Sequence, residues 1–337
     1  MILVGGEALY DLVPRGPGDS LQGHAGGGPF NTARTIGRLA QPVGYLGRLS
    51  TDRFGQRLEA LLAHDGVALD SVVHTDEPTT LALAEVDREG VARYRFYLDG
   101  TAAPGLTPEA ALAALPDRVA MLHVGSLGLA QEPVAAALEA VVERLSGEAL
   151  VAVDPNCRPQ VIADRDAYLG RLHRILARSH LLRLSEDDVR FLEPEANPVE
   201  GVRALLAHGP AAGLLTRGSG GAVAITPTDE VAVPAVSVKV VDTIGAGDAF
   251  GGGFLAWWSE RGLGADALTD LDLVVEATRF ACLVAARSSE RRRPPRARRP
   301  TPSSGDAPGR RCRRRRAATP PHWAAPDRRV STWSVSG

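Results

Sequence analysis

Residues 242–250 read Asp-Thr-Ile-Gly-Ala-Gly-Asp-Ala-Phe, between an apolar run (Val231 to Val241) that reads as a strand and an apolar helical pattern (Phe250, Phe254, Trp257, Trp258). Glycines at a strand-to-helix turn let backbone N–H groups converge on an anion, and the helix start adds its positive dipole end. Asp248 stands at that mouth, where a carboxylate is favoured in its charged form. Such a site suits phosphoryl transfer to an alcohol. The amides of Gly245, Ala246 and Gly247 would hold the moving group, and Asp248 would take the proton. The plainer alternative is a glycine-rich turn whose aspartate only caps a helix. Two other phosphate loops fail. The Walker pattern needs Gly-Lys-Ser/Thr, but the single lysine, Lys239, precedes Val240, and the dinucleotide fingerprint needs a glycine where Phe250 stands.

A second constellation lies more than 200 residues upstream, Gly26-Gly27-Gly28-Pro29-Phe30-Asn31, ahead of a helix over Thr32 to Leu39. By itself it reads as a tight turn with an asparagine cap. Together the two stretches resemble the signatures of the ribokinase-like (PfkB) carbohydrate kinases. Residues 242–248 match Asp-Thr-x-Gly-Ala-Gly-Asp at every fixed position, and 26–31 resemble the N-terminal Gly-Gly-x-x-x-Asn. The resemblance covers about 1–287. It implies a three-layer α/β/α sandwich with a mostly parallel doubly wound sheet and a small β lid. It also implies ATP-dependent phosphorylation of a primary hydroxyl on a small sugar. The opening Gly6-Glu7-Ala8, Gly-Gly-x-Pro-x-Asn and Asp154-Pro155-Asn156-Cys157-Arg158 look most like fructokinases, with ketodeoxygluconate, ribose and nucleoside kinases as alternatives.

The same resemblance assigns Asp248 as general base. It assigns Asp11, Gly27 and Asn31 to the sugar, Arg158 to the sugar or phosphate, and Thr216, Gly218, Gly221 and Thr243 to ATP. The family's Asn-x-x-Glu, which orders Mg2+ and its waters, is replaced here by Ser185-Glu186-Asp187-Asp188, leaving Asp188 or Glu186 as the candidate metal residue. The family loop after the last helix, which borders adenine and helps to hold a monovalent cation such as K+, has no counterpart here. That departure leaves a catalytically impaired sugar-binding member as a further alternative. The family also allows a homodimer through the lid.

The elements that must position these groups follow from periodicity. Residues 2–8 read as a central strand, with Asp11 just past its C-terminal end, where ligands gather in open α/β sheets. Val43 to Leu49 reads as a strand and Asp52 to Gly66 as a helix. Residues 71–99 break the rhythm: Thr79 to Val86 and Val91 to Leu98 are β-rich runs joined by Asp87-Arg88-Glu89-Gly90, a hairpin that with about 10–24 would form the lid. From 119 onward strands and helices alternate, as in a parallel doubly wound sheet. The strands are Val119 to Val124, Leu150 to Val153, His180 to Leu184 and Gly213 to Thr216. The helices include Pro133 to Leu145 and Asp272 to Arg287.

Composition fits this picture. The 337 residues, 44% hydrophobic and 23% charged, supply enough chain for a large core, and no apolar run approaches the roughly 20 residues that span a bilayer. Cys157, Cys282 and Cys312 are odd in number and far apart, which favours a reducing cytoplasm over a disulfide framework. The net charge of −2 conceals an asymmetry: 14 Arg against Glu290, Asp306 and Asp327 give residues 288–337 a balance of +11. That segment reads as a disordered tail. Arginine clusters attract nucleic-acid backbones, but unselected sequence is the favoured reading, so the expected partners are a sugar and ATP, with neither membrane nor nucleic acid.

Overall fold

The computed structural model describes residues 1–14, 20–86 and 92–290. In chain order the strands are β1 (Ile2–Gly5), β2 (Leu9–Pro14), β3 (Leu21–Gly26), β4 (Val43–Ser50), β5 (Val72–Thr75), β6 (Leu81–Val86), β7 (Ala92–Tyr97), β8 (Met121–Gly125), β9 (Leu150–Asp154), β10 (Leu181–Ser185), β11 (Ala212–Thr216), β12 (Ala222–Ile225) and β13 (Glu230–Val233). The helices are α1 (Gly28–Arg38), α2 (Arg53–His64), α3 (Pro108–Ala113), α4 (Val134–Leu145), α5 (Arg165–Leu176), α6 (Glu186–Leu192), α7 (Pro198–Leu206), α8 (Ala246–Glu260) and α9 (Leu271–Ser289).

Among the described residues, nine strands form one sheet in the order β13-β12-β11-β10-β9-β8-β1-β4-β5. Pairing is parallel from β5 through β11 and antiparallel only at the β11–β12–β13 edge. Successive side chains of β1 fall on opposite faces, as the period of two demands. Ile2 and Val4 join a core with Phe30, Leu58, Phe254 and Ala277, whereas Leu3 joins one with Leu138, Leu172, Val189 and Val202. Helices α1, α2, α8 and α9 therefore cover one face and α4 to α7 the other, giving three layers with both faces of the sheet buried.

A separate four-stranded sheet has the order β3-β2-β6-β7. Two boundaries differ from the sequence reading. The N-terminal contribution is two strands over Leu9–Pro14 and Leu21–Gly26 rather than a segment over 10–24. Within 71–99, β5 belongs to the large sheet, paired in parallel with β4 from Gly47↔Val72 to Ser50↔Thr75. Only β6 and β7 enter the small sheet; the turn between them, Asp87-Arg88-Glu89-Gly90, lies outside the described residues.

The run Val231 to Val241 is a strand only as far as Val233. Among the described residues no further strand pairs with the chain beyond it, and Val236, Val240 and Val241 are exposed. At the other end, α9 reaches Ser289, past the expected stop at Arg287. The remainder of the 288–337 segment, from 291, lies outside the described residues.

Helix α8 carries three consecutive glycines, Gly251 to Gly253, each unfavourable by ~1 kcal/mol against alanine in a helix interior. Close packing explains the last two, whereas a Cβ on Gly251 would meet nothing within 4 Å. A Cβ on Gly252 would stand 2.9 Å from Thr35 Cβ and 3.0 Å from the Thr32 carbonyl, and one on Gly253 would stand 3.0 Å from Val284. The missing side chains let α8 lie directly against α1 and α9, so the first turns of α1 and α8 meet.

Candidate active site

Gly245 caps α8 in the left-handed region (φ 80°), which an L side chain adopts only with strain. Asp248 is the third helical residue and is buried, with 9% exposure. The amides of Gly247 and Asp248 are first-turn donors with no intrahelical carbonyl to meet. Ala246 N–H, expected to join them, donates to the Thr243 carbonyl at 3.1 Å. Asp242 Oδ1 accepts from Ile244 N–H at 2.9 Å, and the Ser289 carbonyl at the end of α9 accepts from Val241 N–H at 2.8 Å and Asp242 N–H at 3.2 Å. The cradle is thus tied to its own turn and to the last helix.

Asn31 does not cap α1; Gly27 does, at φ 109°, and a Cβ there would meet the Glu7 carbonyl at 2.5 Å. Asn31 lies one turn into the helix, and its Nδ2 donates to Asp248 Oδ2 at 2.8 Å. Thr32 Oγ1 donates to the Asp248 carbonyl at 3.3 Å. Burial pushes the Asp248 carboxyl up to about 6, with the Asp154 charge acting in the same sense; the Asn31 hydrogen bond and the charges of Arg183 and Arg158 oppose it. A carboxyl tuned to that range is matched to proton abstraction near neutrality.

Glu7, which the sequence reading used only as part of an opening motif, holds this end of the site together. Its buried Oε1 accepts from Gly28 N–H at 3.1 Å and its Oε2 from Gly128 N–H at 3.2 Å, joining the start of α1 to the turn after β8. Burial pushes its carboxyl up to about 7, although those amides and Ser126 favour the charged form. Asp11, on β2 opposite His24, lies against the glycine loop: a Cβ on Gly26 would stand 2.2 Å from Asp11 Oδ2.

The Asp154–Arg158 loop leaves the C-terminal end of β9. Arg158 Nη1 donates back to the carbonyls of Asn156 and Cys157, both at 3.0 Å, while its charge bears on Asp248. A residue that sequence reasoning passed over sits behind the loop. Arg183 of β10 is buried, and its Nη1 donates to both Asp154 oxygens at 3.2 and 3.1 Å. The available signal was a lone charge inside an otherwise apolar strand, Leu181-Leu182-Arg183-Leu184.

The predicted ATP and metal residues fare unevenly. Thr216 Oγ1 accepts from Arg183 Nη2 at 2.6 Å and donates to the Leu184 carbonyl at 3.2 Å, so it braces the sheet edge. Gly218 (φ 53°) has open space around it, as a close ligand approach requires. Gly221 (φ 86°) is demanded by the β11–β12 connection, since a Cβ would strike the Val233 carbonyl at 2.2 Å. Thr243 is exposed beside the cradle. These features, with the first-turn amides, fit a nucleotide's phosphates.

A carboxylate cage for a divalent ion does not fit. Asp188 Oδ1 accepts from Cys157 N–H at 2.7 Å and its Oδ2 from Ser185 N–H and Oγ–H at 2.7 and 2.6 Å, forming the capping box of α6. Glu186 faces Arg217 at 3.4 Å, and among the described residues no three acidic, histidine or cysteine side chains converge on a metal position.

Between the end of β7 and the turn at Gln160 a cavity of about 350 Å³ is walled by Phe96, Tyr97, Asp99, Gln131, Gln160 and their neighbours; Asp248 is not among its walls. Phe96 packs inward with Leu127 and Val161, and Tyr97 is 49% exposed. Among the described residues no helix is long and apolar enough to cross a membrane.

Comparison with known proteins bears directly on this geometry. A family model, pfkB family carbohydrate kinase, matches residues 1–294. The chain is 34% identical over 259 residues to a fructokinase of Rhizobium leguminosarum bv. trifolii, covering 76% of this chain and 79% of that protein. The structure of a fructokinase with bound ATP from Xylella fastidiosa is similar with a TM-score of 0.78 and 28% identity, covering 86% of this chain and 92% of that one. An aminoimidazole riboside kinase from Salmonella enterica is similar with a TM-score of 0.74 and 26% identity, over 86% and 94%. With a ribokinase-like fold and both signature loops brought together, the chain belongs to the pfkB family of carbohydrate kinases, phosphotransferases acting on a sugar hydroxyl.

Proposed function

We propose that the protein is an ATP-dependent fructokinase. The observation that carries this reading is the 2.8 Å bond from Asn31 Nδ2 to Asp248 Oδ2, which sets a buried carboxylate beside a helix N-terminus and against the helix that begins at the glycine loop. Asp248 takes the proton from the primary hydroxyl. The hydroxyl oxygen bonds to the γ-phosphorus as the bond to the β–γ bridging oxygen breaks, and ADP leaves. The first-turn amides of α8 receive the negative charge of the transferring group. Asp11, Gly27 and Asn31 hold the sugar, Arg158 turns out to meet sugar or phosphate, and Gly218, Thr243 and the braced Thr216 border ATP.

Mg2+ would supply charge neutralisation of the phosphates. Because Asp188 is already saturated by hydrogen bonds, the ion would ride on phosphate and water rather than on a protein cage. The small sheet acts as a lid that excludes water, the competing acceptor. A reducing cytoplasm, where ATP is abundant, suits buried free thiols such as Cys157 and Cys282.

The test is ADP release over a panel of fructose, ribose, ketodeoxygluconate and nucleosides. Fructose should give the highest kcat/KM. Preference for a riboside would replace fructose as acceptor, and no sugar-dependent ADP release would reject the kinase reading.

A further inference from the structure

Three strand ends meet beneath the first turn of α8: β9 at Asp154, β10 at Ser185 and β11 at Thr216. Arg183, 8% exposed, reaches up among them. Its Nη1 donates to Asp154 and its Nη2 to Thr216, as described above. That same Nη2 lies 2.8 Å from where a Cβ on Gly247 would stand. The guanidinium is therefore stacked directly under the cradle backbone, and the missing side chain of Gly247 admits it.

A guanidinium keeps its charge across the physiological range, and burying one is unfavourable unless carboxylates surround it. The charges that bear on Arg183 are Asp154, Asp188 and Asp248. Buried His123 lies on the same side of the sheet, its ring pushed down to about 4 by burial and by the Arg183 charge, so it adds no second cation there. The charged groups that bear on Asp248 itself are Asp154, Arg183 and Arg158. The N-terminus of α8 already carries partial positive charge, so a cation below it is tolerated only with negative charge close by. Asp154 alone would neutralise the arginine; the position under Gly247 is what couples the pair to the cradle.

We propose that Arg183 is a positioning residue for phosphoryl transfer: its guanidinium holds Asp248 in the charged form and fixes the Gly247 amide above the sheet edge. The inference rests on the reading of Asp248 as general base and adds a lever behind it. With Arg183 absent, Asp248 keeps its proton to higher pH and the cradle loses its floor.

The experiment compares kcat/KM against pH for the full chain, Arg183→Lys, Asp154→Asn and the double variant Arg183→Met/Asp154→Asn. The double variant leaves no orphaned buried carboxylate at 154, and asparagine at 154 can still accept from Arg183 in the single one. Asp154→Asn should move the acid limb below that of the parent, because a negative neighbour of Asp248 is gone. The double variant should place the limb about one pH unit above that of Asp154→Asn, the usual effect of losing a nearby opposite charge. Its kcat should fall on the order of tenfold at neutral pH while KM for the sugar changes little, the signature of a barrier effect rather than of lost binding. Arg183→Lys, keeping the charge but not the fork, should retain the parental limb with a lower kcat. Coincident limbs in the double variant and Asp154→Asn would overturn the proposal while leaving the kinase reading intact. An inactive parent protein would remove both.

Discussion

Asn31 Nδ2 donates to Asp248 Oδ2 at 2.8 Å, joining residues 217 positions apart and closing the first turn of α1 onto the first turn of α8. The bond stabilises the charged carboxylate and fixes its direction, so both residues should appear in turnover. Asp248→Asn is expected to lower kcat on the order of 10²–10⁴-fold, the usual worth of a general base. Asn31→Ala should lower it less and move the acid limb above the parental value near 6, since a bond favouring the charged form is lost. Steady-state kinetics from pH 5 to 8 checks both, and unchanged turnover in Asp248→Asn would refute its role as base.

Stability should fall as pH rises through neutrality. The Glu7 carboxyl is pushed up to about 7 from an ordinary 4.5, so the folded state holds a proton that the unfolded chain releases earlier. That contribution is whole below about 4.5 and lost as pH passes 7. Asp248, pushed up to about 6 from 3.8, acts in the same direction. Between pH 5 and 8 the unfolding free energy should drop, Glu7 contributing on the order of 1–3 kcal/mol. Glu7→Gln has no such proton and should show a shallower decline in denaturant titrations; parallel declines would contradict the assignment.

Close approach of α8 to α1 predicts a penalty at Gly252. A methyl group there would stand 2.9 Å from Thr35 Cβ with backbone beside it. Gly252→Ala should destabilise by about 1–3 kcal/mol through overpacking, despite alanine's better helix propensity. It should also lower kcat by prising Asp248 away from Asn31. A variant as stable and active as the parent would show that the helices have room to separate.

Cys157 and Cys282 should be inert in the folded protein. Burial pushes their thiols up to about 12 and about 11, leaving almost no thiolate at pH 8. Alkylation followed by peptide mass mapping should mark both only after denaturation. Labelling of Cys157 under native conditions would mean that the loop carrying Arg158 opens readily.

The two signature loops were legible because glycine spacing declares itself locally: a turn that must bring amides to an anion has few alternatives. The register of α8 against α1 was less so, since Gly252 and Gly253 serve helix contact rather than a turn. Arg183 stayed hidden because its partners come from the ends of the two strands beside its own, β9 and β11, an adjacency created by sheet order and absent from any local period. Partner choice also explains β5, a short run within the 71–99 stretch assigned to the lid, which β4 claims for the large sheet. The stretch beyond Val233 is apolar enough for a strand, but among the described residues none pairs with it. Ser185-x-x-Asp188 was ambiguous on physical grounds, because hydroxyl and carboxylate three residues apart suit a capping box as well as a metal site; here the cap takes Asp188 Oδ2 and the Cys157 amide takes Oδ1.

The carbonyl of Ser289 accepts from Val241 N–H and Asp242 N–H, so the exit of the last helix doubles as an anchor for the turn that leads into α8. Tension or trimming at that exit is transmitted to the cradle without crossing the core. A chain ending at Arg287 would unmoor Asp242 while sparing the grip of Asn31 on Asp248, whereas one ending at Glu290 would keep both, which makes two neighbouring stop codons a means of separating nucleotide affinity from proton transfer.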